Sequence, residues 1–131
     1  MARGERYALL PDEVLTAPAV VSLPPAAFRV LVTLTAQYNG HNNGRLSLPL
    51  SAARGYGVRS ADTLHRALNE LINRGLIERM HQGGLGLGCS RYSLAWRDLD
   101  PEPHGSCVLP TPATHAYLKW APDASTPRRF K

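Results

Sequence analysis

The chain has 131 residues, enough for one domain with a modest core and some appended structure, and its formal net charge of +5 at pH 7 favours a polyanionic partner. No stretch of the sequence is apolar over the length of a secretory signal or a membrane span, so we expect a cytoplasmic protein with no membrane partner. The two cysteines lack CxxC spacing and the five histidines lack HxxxH spacing, so we expect no disulfide framework, no zinc site and no cofactor.

The N-terminal part of the chain contains two predicted helices. Pro11 suits the first turn of a short helix that extends through Leu15, and an irregular segment then continues to Ser22. A long helix is predicted from Ser22 to Asn39, and it must begin near its two adjacent prolines because proline is tolerated only in the first turn. Its predicted inward face consists of Phe28, Leu31, Val32, Thr35 and Tyr38, with Val30 and Leu34 on the flank.

A loop and a short strand follow this helix. Residues 39–44 read NGHNNG, and this concentration of Asn and Gly indicates a turn because both residue types accept positive φ. Contacts from the Asn side chains to a DNA backbone are the alternative, and the plain loop is favoured. The segment from Arg45 to Leu48 alternates in polarity and predicts a short edge strand that Pro49 ends.

Residues 50–59 predict a short helix and a tight turn. The helix runs from Leu50 to Tyr56, with Ala53 and Tyr56 facing inward, and Gly57 ends it. Val58 is expected to be buried in the turn. A turn of three or four residues containing Gly is typical of the helix-turn-helix, and an ordinary helical hairpin that packs a core is the alternative.

The helix that follows the turn has a clear start, face and end. Ser60 is a good N-cap, and Gly75 stands just past Arg74, where a residue of positive φ is favoured. The face opposite to its apolar stripe is rich in Thr, His, Arg and Asn, side chains that suit a helix lying in the DNA major groove. The apolar stripe consists of Leu64, Ala67, Leu68, Leu71 and Ile72.

A β-hairpin is predicted directly after this helix. One strand runs from Leu76 to Met80, a Gly-rich tip follows from His81 to Gly88, and the chain returns from Ser90 to Leu94 with alternating character. A phosphate-cradling loop is the alternative for the tip. Such loops open a helix, whereas this tip joins two strands, so the hairpin is favoured.

Residues from about 7 to 97 resemble the small winged-helix DNA-binding proteins of bacteria, their phages and mobile elements, which include transcriptional regulators and replication-initiation proteins. The resemblance rests on a first helix, an Asn/Gly-rich loop, a short strand, the helix pair and the RGLIER segment that enters the hairpin. It implies an α+β fold, a winged helix-turn-helix with three main helices, a small antiparallel wing sheet and a largely irregular C-terminal tail. The DNA-binding positions that it implies are Ser60, Thr63, His65, Arg66 and Asn69, with Gln82 and Arg91 in the wing.

Positive charge is concentrated in the half of the chain that carries this resemblance. Residues 45–97 contain eight arginines and three acids, so 8 − 3 = +5 lies there, whereas four bases and four acids cancel after residue 97. An arginine-biased composition is the alternative explanation, since lysines are few. We expect Arg54 and Arg59 to bind DNA phosphates beside the second helix of the pair.

The chain divides into a winged-helix domain with an N-terminal extension, residues 1–97, and a Pro-rich linker and tail, residues 98–131. The tail contains an apolar cluster of Tyr117, Leu118 and Trp120. We expect this cluster to dock on the domain or on a second copy of the chain, and the first is favoured because large apolar side chains usually find burial locally.

The leading functional hypothesis is sequence-specific binding of double-stranded DNA by a winged helix, as a transcriptional regulator or as a replication or mobile-element accessory factor. A homodimer is expected for tight binding, since one winged helix contacts a single half-site. The alternative is a winged-helix protein-interaction module without specific DNA binding, which contacts a protein partner through the C-terminal tail or the apolar wing tip. The sequence has no nucleophile elbow, metal-ligand cluster or positioned acidic pair, so no enzymatic activity is expected.

Overall fold

A computed structural model describes residues 7–81, 90–101 and 111–121 of the chain. Within these ranges the protein is of the α+β class, with five α-helices and one two-stranded antiparallel sheet. None of the described helices is long and apolar enough to cross a membrane. In chain order the elements are α1 (Asp12–Leu15), α2 (Pro18–Val21), α3 (Pro25–Gln37), α4 (Leu50–Gly55), α5 (Ala61–Asn73), β1 (Ile77–His81), β2 (Arg91–Leu94) and a C-terminal 3-10 helix (Ala116–Lys119).

The long helices α3 and α5 pack against each other at the centre of the core. α3 begins at Pro25, since the fixed φ of proline and its missing N–H suit a first turn. The apolar stripe predicted for α5 is confirmed. Its buried members are Leu64, Ala67, Leu68 and Leu71, and Ile72 is partly buried against them.

The inward face predicted for α3 is wrong in part. Leu31 and Thr35 are buried as predicted, but Phe28 is 37% exposed, and Val32 and Tyr38 are only partly buried. α3 carries apolar residues on two overlapping stripes of helical period, and the contact with α5 selects one of them. The predicted flank residues Val30 and Leu34 lie in the core. The buried residues of α3 are Ala27, Val30, Leu31, Thr33, Leu34 and Thr35.

Two short helices precede α3. α1 forms where the short helix was predicted, with Pro11 as its N-cap residue. Residues 18–21 were predicted to be irregular but form α2, which Pro18 can start because a first-turn residue needs no hydrogen-bonded N–H. Val14 of α1 and Val20 of α2 are buried, so both short helices contribute to the core.

α4 ends at Gly55, one residue before its predicted end, and Tyr56 is its C-cap. Gly57 has a φ of 94°, and the N–H of Val58 donates to the Ala53 carbonyl at 3.0 Å, the bond that closes a helix end with a residue of positive φ. Ala53 and Val58 are buried as predicted. The prediction that Tyr56 faces inward is wrong, because Tyr56 has left the helical conformation as the C-cap and is 46% exposed.

The ends of α5 match their predictions. The Ser60 hydroxyl accepts from the Thr63 N–H at 3.1 Å, which satisfies a free donor of the first turn. Gly75 has a φ of 75°, and the N–H of Leu76 donates to the Leu71 carbonyl at 3.0 Å. Both ends of α5 are therefore closed by its own neighbouring residues.

The predicted hairpin is present as the two-stranded sheet of β1 and β2. Ile77 pairs with Leu94 and Arg79 pairs with Tyr92, and the register shifts just after Arg79, where Met80 forms a bulge. The return strand was predicted from the alternating character of its sequence, but its burial does not alternate, since Tyr92, Ser93 and Leu94 are all buried. Residues 111–114 line a small cleft with Ser93 and cover the second face of β2.

The edge strand predicted from Arg45 to Leu48 is reduced to a single bridge. Leu46 exchanges two backbone hydrogen bonds with Tyr92, at 3.1 and 2.7 Å. The backbone N–H and carbonyl of the next residue, Ser47, bind the side-chain amide of Gln37. These groups therefore face α3 and not β2, and the described residues after Leu46 form no further bridge to β2.

The Asn-rich segment is a loop that is held by its own side chains. Asn42 accepts from the Asn39 N–H at 3.0 Å and donates to the Gln37 carbonyl at 3.0 Å. Asn39 accepts from the N–H of His41 at 2.8 Å. Asn43 is fully buried. These side chains close the turn, as the plain-loop interpretation expects.

The C-terminal segment packs against the end of the sheet and against α5. The ring of Tyr117 is buried and meets the Trp96 ring edge to face, with 6.3 Å between the ring centroids. Trp120 is partly buried, and the guanidinium of Arg74 lies 4.3 Å from its ring centroid. Leu118, the third member of the predicted cluster, stays 64% exposed.

Candidate nucleic-acid interface

The predicted binding residues of α5 lie on its outer surface. His65, Arg66 and Asn69 are exposed, and they lie opposite the stripe that packs against α3. Ser60 at the N-cap is also exposed, whereas Thr63 is half-buried. α5 therefore presents a polar face whose orientation is set by burial of its other face.

The two hydroxyls at the start of α5 are bonded to each other. The Ser60 hydroxyl donates to the Thr63 hydroxyl oxygen at 2.8 Å while it accepts from the Thr63 N–H. The Ser60 side chain is thus occupied by the capping of α5. The Thr63 hydroxyl keeps its own proton for an external acceptor.

Arg66 forms an exposed ion pair on the same face. One guanidinium nitrogen lies 2.9 Å from a carboxylate oxygen of Asp62, one helical turn earlier, and the two side chains are 80% and 71% exposed. Exposed pairs of this spacing contribute only about 0.3–0.5 kcal/mol. The pair orients Arg66 but holds it weakly, so a phosphate or a base edge can replace the carboxylate.

Three arginines surround the turn between α4 and α5. The Nε of Arg54 lies 3.5 Å from the Arg59 carbonyl oxygen, and the Nη1 of Arg29 donates to the Tyr56 carbonyl at 3.3 Å. None of these arginines forms a salt bridge with any residue that the structure describes. Arg54 and Arg59 were predicted from the sequence, whereas Arg29 of α3 was missed because it reaches the turn across 27 residues of chain.

The hairpin lies beside the N-terminal half of α5. A cleft of about 230 Å³ is lined by His65 on one side and by Ser90 and Tyr92 on the other. Arg91, between these two residues of the hairpin, is exposed. The structure thus brings the hairpin and the polar face of α5 next to each other. Gln82, most of the predicted hairpin tip and both cysteines lie outside the described residues.

The assembled surface is strongly basic. Around the start of α5 and the turn before it, the described charges are four arginines, at positions 29, 54, 59 and 66, against one acid, so 4 − 1 = +3, and that acid, Asp62, is paired with Arg66. Arg91 adds an exposed charge on the adjacent hairpin. Elsewhere in the described ranges, no group of three or more His, Cys, Asp or Glu side chains is arranged to hold a metal ion. The chemistry available at this surface is hydrogen bonding and charge attraction to an anionic partner.

Comparison with protein-family models, with curated proteins and with solved structures found no match to the chain.

Proposed function

We propose that the protein binds double-stranded DNA as a winged helix, with α5 as the recognition helix. The observation that carries the proposal is the polar face of α5, where His65, Arg66 and Asn69 are exposed while the opposite stripe is fixed on α3. α5 has 13 residues and so a length of roughly 20 Å, which fits the major groove. In this assignment α3, α4 and α5 are the three main helices, and the hairpin with the Leu46 bridge is the wing.

The chemistry of each side chain indicates whether it would contact a base or a phosphate. Asn69 can bind an adenine through two hydrogen bonds, and Arg66 can bind a guanine in the same way. Arg54 and Arg59, on the flanking turn, bind backbone phosphates, and Arg91 does so from the wing. Base contacts set the sequence preference and phosphate contacts fix the position of the helix. The biological role is a transcriptional regulator or a replication or mobile-element accessory factor, acting as a homodimer on two half-sites.

The test separates base contacts from phosphate contacts. A duplex selected by the protein from a random pool, and the unselected pool, are titrated at two salt concentrations by fluorescence anisotropy. Asn69→Ala should lower the preference for the selected duplex by about 1–3 kcal/mol and leave binding to the pool unchanged. Arg54→Ala should weaken binding to both DNAs and reduce the salt dependence.

Two remote substitutions serve as controls for this experiment. Thr114→Ala removes an exposed polar side chain and Lys119→Ala removes an exposed charge, both from the C-terminal segment. Both variants should bind as the wild type does. If Asn69→Ala and Arg54→Ala also bind as the wild type does, α5 is not the recognition helix.

A protein-interaction module is the second candidate, and exposed apolar side chains favour it. Val21 of α2 is 69% exposed and Leu118 of the C-terminal 3-10 helix is 64% exposed, and these two elements are in contact. Tyr117 is buried within the chain, so the tail would offer Leu118 rather than its aromatic cluster. In that case the wild type should show only weak, salt-sensitive binding to both DNAs, and Leu118→Ser should abolish capture of a partner protein.

A further inference from the structure

A basic cleft of about 380 Å³ lies between the first turns of α3 and the turn that precedes α5. Its walls contain two arginines and two hydroxyl side chains and no carboxylate, and no aromatic ring offers a stacking surface. Its free donors come from Arg29, Arg59 and the Thr63 hydroxyl, while Gly57 and Ser60 complete the lining. A cleft with this lining suits a compact anion better than a base or an apolar group.

Arg29 lies at the edge of the cleft, and its contact with the turn uses only part of its N–H donors. Its Nη1 donates to the Tyr56 carbonyl at 3.3 Å, which uses one of its five N–H groups. A Cβ at Gly57 would lie 3.4 Å from the Cδ of Arg29, so the glycine leaves room for the arginine stem across the turn. The guanidinium is therefore positioned by the turn but is not neutralised by a described carboxylate.

Arg59 contributes the second charge from the turn itself. It is exposed, and its backbone carbonyl faces Arg54, while its side chain has no ion pair among the described residues. The nearest acid in the sequence, Asp62, is already bound to Arg66 on the outer face of α5. Two guanidinium groups thus face one cleft without a counter-ion from the described chain.

We propose that this cleft binds one phosphate group and that, in the complex with DNA, it holds a backbone phosphate between α3 and α5. Arg29 is then a positioning residue of the first long helix, and it fixes α5 in the groove from outside the helix-turn-helix. This assignment rests on the proposed DNA binding for the source of the phosphate, because Arg59, Ser60 and Thr63 belong to both surfaces. Binding of a free phosphate group depends on the cleft alone and not on DNA binding.

The experiment compares Arg29→Gln with Lys119→Gln, which removes the same charge from an exposed site in the C-terminal segment. Arg29→Gln should reduce the slope of log affinity against log salt by about 0.9, the value of one lost phosphate contact. The loss of affinity between about 50 and about 200 mM salt then becomes about threefold smaller, on random and selected duplexes alike. Lys119→Gln should keep the wild-type slope. Arg29→Lys keeps the charge and should therefore keep the slope as well, but it should bind more weakly than the wild type because it loses the guanidinium fork.

Inorganic phosphate provides a readout that does not depend on DNA. In a titration followed by amide chemical shifts, the signals of residues 57–63 should saturate with phosphate in the wild type and should not do so in Arg29→Gln. If the wild type binds DNA and Arg29→Gln has the same salt slope as the wild type, phosphate binding by the cleft is rejected and the proposed function stands. Saturation by phosphate without any duplex binding would support the cleft as a free-phosphate site and reject the proposed function. If the wild type neither saturates with phosphate nor binds a duplex, both the phosphate-binding cleft and the proposed function are rejected.

Discussion

At the scale of single residues, Asn43 connects the loop after α3 to the end of β2 and the chain beyond it. Its amide oxygen accepts from the Leu94 N–H at 2.7 Å, and its amide nitrogen faces the carbonyls of Leu94, Arg97 and Asp98 at 3.0–3.2 Å. Its backbone N–H donates to a carboxylate oxygen of Asp100 at 2.8 Å. Asn43 is fully buried, so each of these bonds replaces one that water would make.

We predict that Asn43→Asp lowers the free energy of unfolding by about 2–4 kcal/mol, because a carboxylate of the same shape would face carbonyl oxygens in a buried site. Asn69→Asp makes the same chemical change on the exposed face of α5 and should alter stability by no more than about 0.5 kcal/mol. Urea denaturation of both variants measures the difference. Equal effects of the two substitutions would mean that the buried amide does not stabilise the fold.

Arg74 has a similar connecting role at the end of α5. Its Nε lies 2.7 Å from a Glu70 carboxylate oxygen, and its Nη1 donates to the Ala19 carbonyl at 3.1 Å and to the Ser22 hydroxyl at 2.7 Å. The guanidinium also stacks on Trp120. Only 10% of the side chain is exposed. Arg74 therefore joins three elements of the fold, and its side chain is largely buried.

At the scale of elements, the end of α5 depends on a glycine for two reasons. Gly75 has positive φ, and a Cβ at this position would lie 2.8 Å from the carbonyl carbon of Ala116 in the C-terminal 3-10 helix. Gly55, the last residue of α4, differs in both respects, because its φ is not positive and a Cβ there would have no neighbour within 4 Å.

We therefore predict opposite signs for the same substitution at these two glycines. Gly75→Ala should lower the free energy of unfolding by more than about 1 kcal/mol, through backbone strain and the clash with Ala116. Gly55→Ala should raise it by roughly 0.5 kcal/mol, because alanine loses less conformational entropy in a helix. Thermal unfolding followed by circular dichroism gives both values, and effects of the same sign would contradict the contact at Gly75.

At the scale of the whole molecule, the C-terminal segment belongs to the same core as the helices. Tyr117 is buried with Trp96, and burial raises the pKa of the Tyr117 hydroxyl, with a smaller contribution from the carboxylate of Glu13 on α1. Burial, and after it the carboxylate of Asp100, likewise raises the pKa of Tyr38 at the end of α3. Both hydroxyls bind their protons more tightly in the folded chain than in the unfolded chain.

This difference predicts a loss of stability in alkali. A tyrosine with a raised pKa contributes its full stabilisation below the ordinary value of about 10, and that contribution is lost as the pH rises through the higher folded value. In urea unfolding between about pH 9 and about pH 11.5, the wild type should lose more stability than Tyr117→Phe, which has no proton to release. Parallel pH profiles for the two proteins would contradict the burial of the hydroxyl.

The sequence by itself determined α5 almost completely. Its N-cap Ser60, its apolar stripe and the positive φ of Gly75 all lie within 16 residues of chain. The two ends are closed by bonds within two helical turns, and the stripe is visible as a local pattern of helical period although it packs on α3. The same holds for the turn at Gly57 and for the existence of the hairpin. Because the bounds and the buried face of α5 were predicted correctly, His65, Arg66 and Asn69 were also correctly predicted to lie on its outer surface.

Only the tertiary structure decided the features that depend on distant parts of the chain. α3 offered two apolar stripes, and the packing of α5 selected the one that excludes Phe28. Arg29 reaches the turn across 27 residues, and Asn43 bonds Asp100 across 57 residues. Neighbouring residues determine the hydrogen bonds that a segment makes within itself. The distant partner of a polar side chain depends on which parts of the chain the tertiary structure brings together. The basic cleft and the buried amide were therefore absent from the sequence prediction.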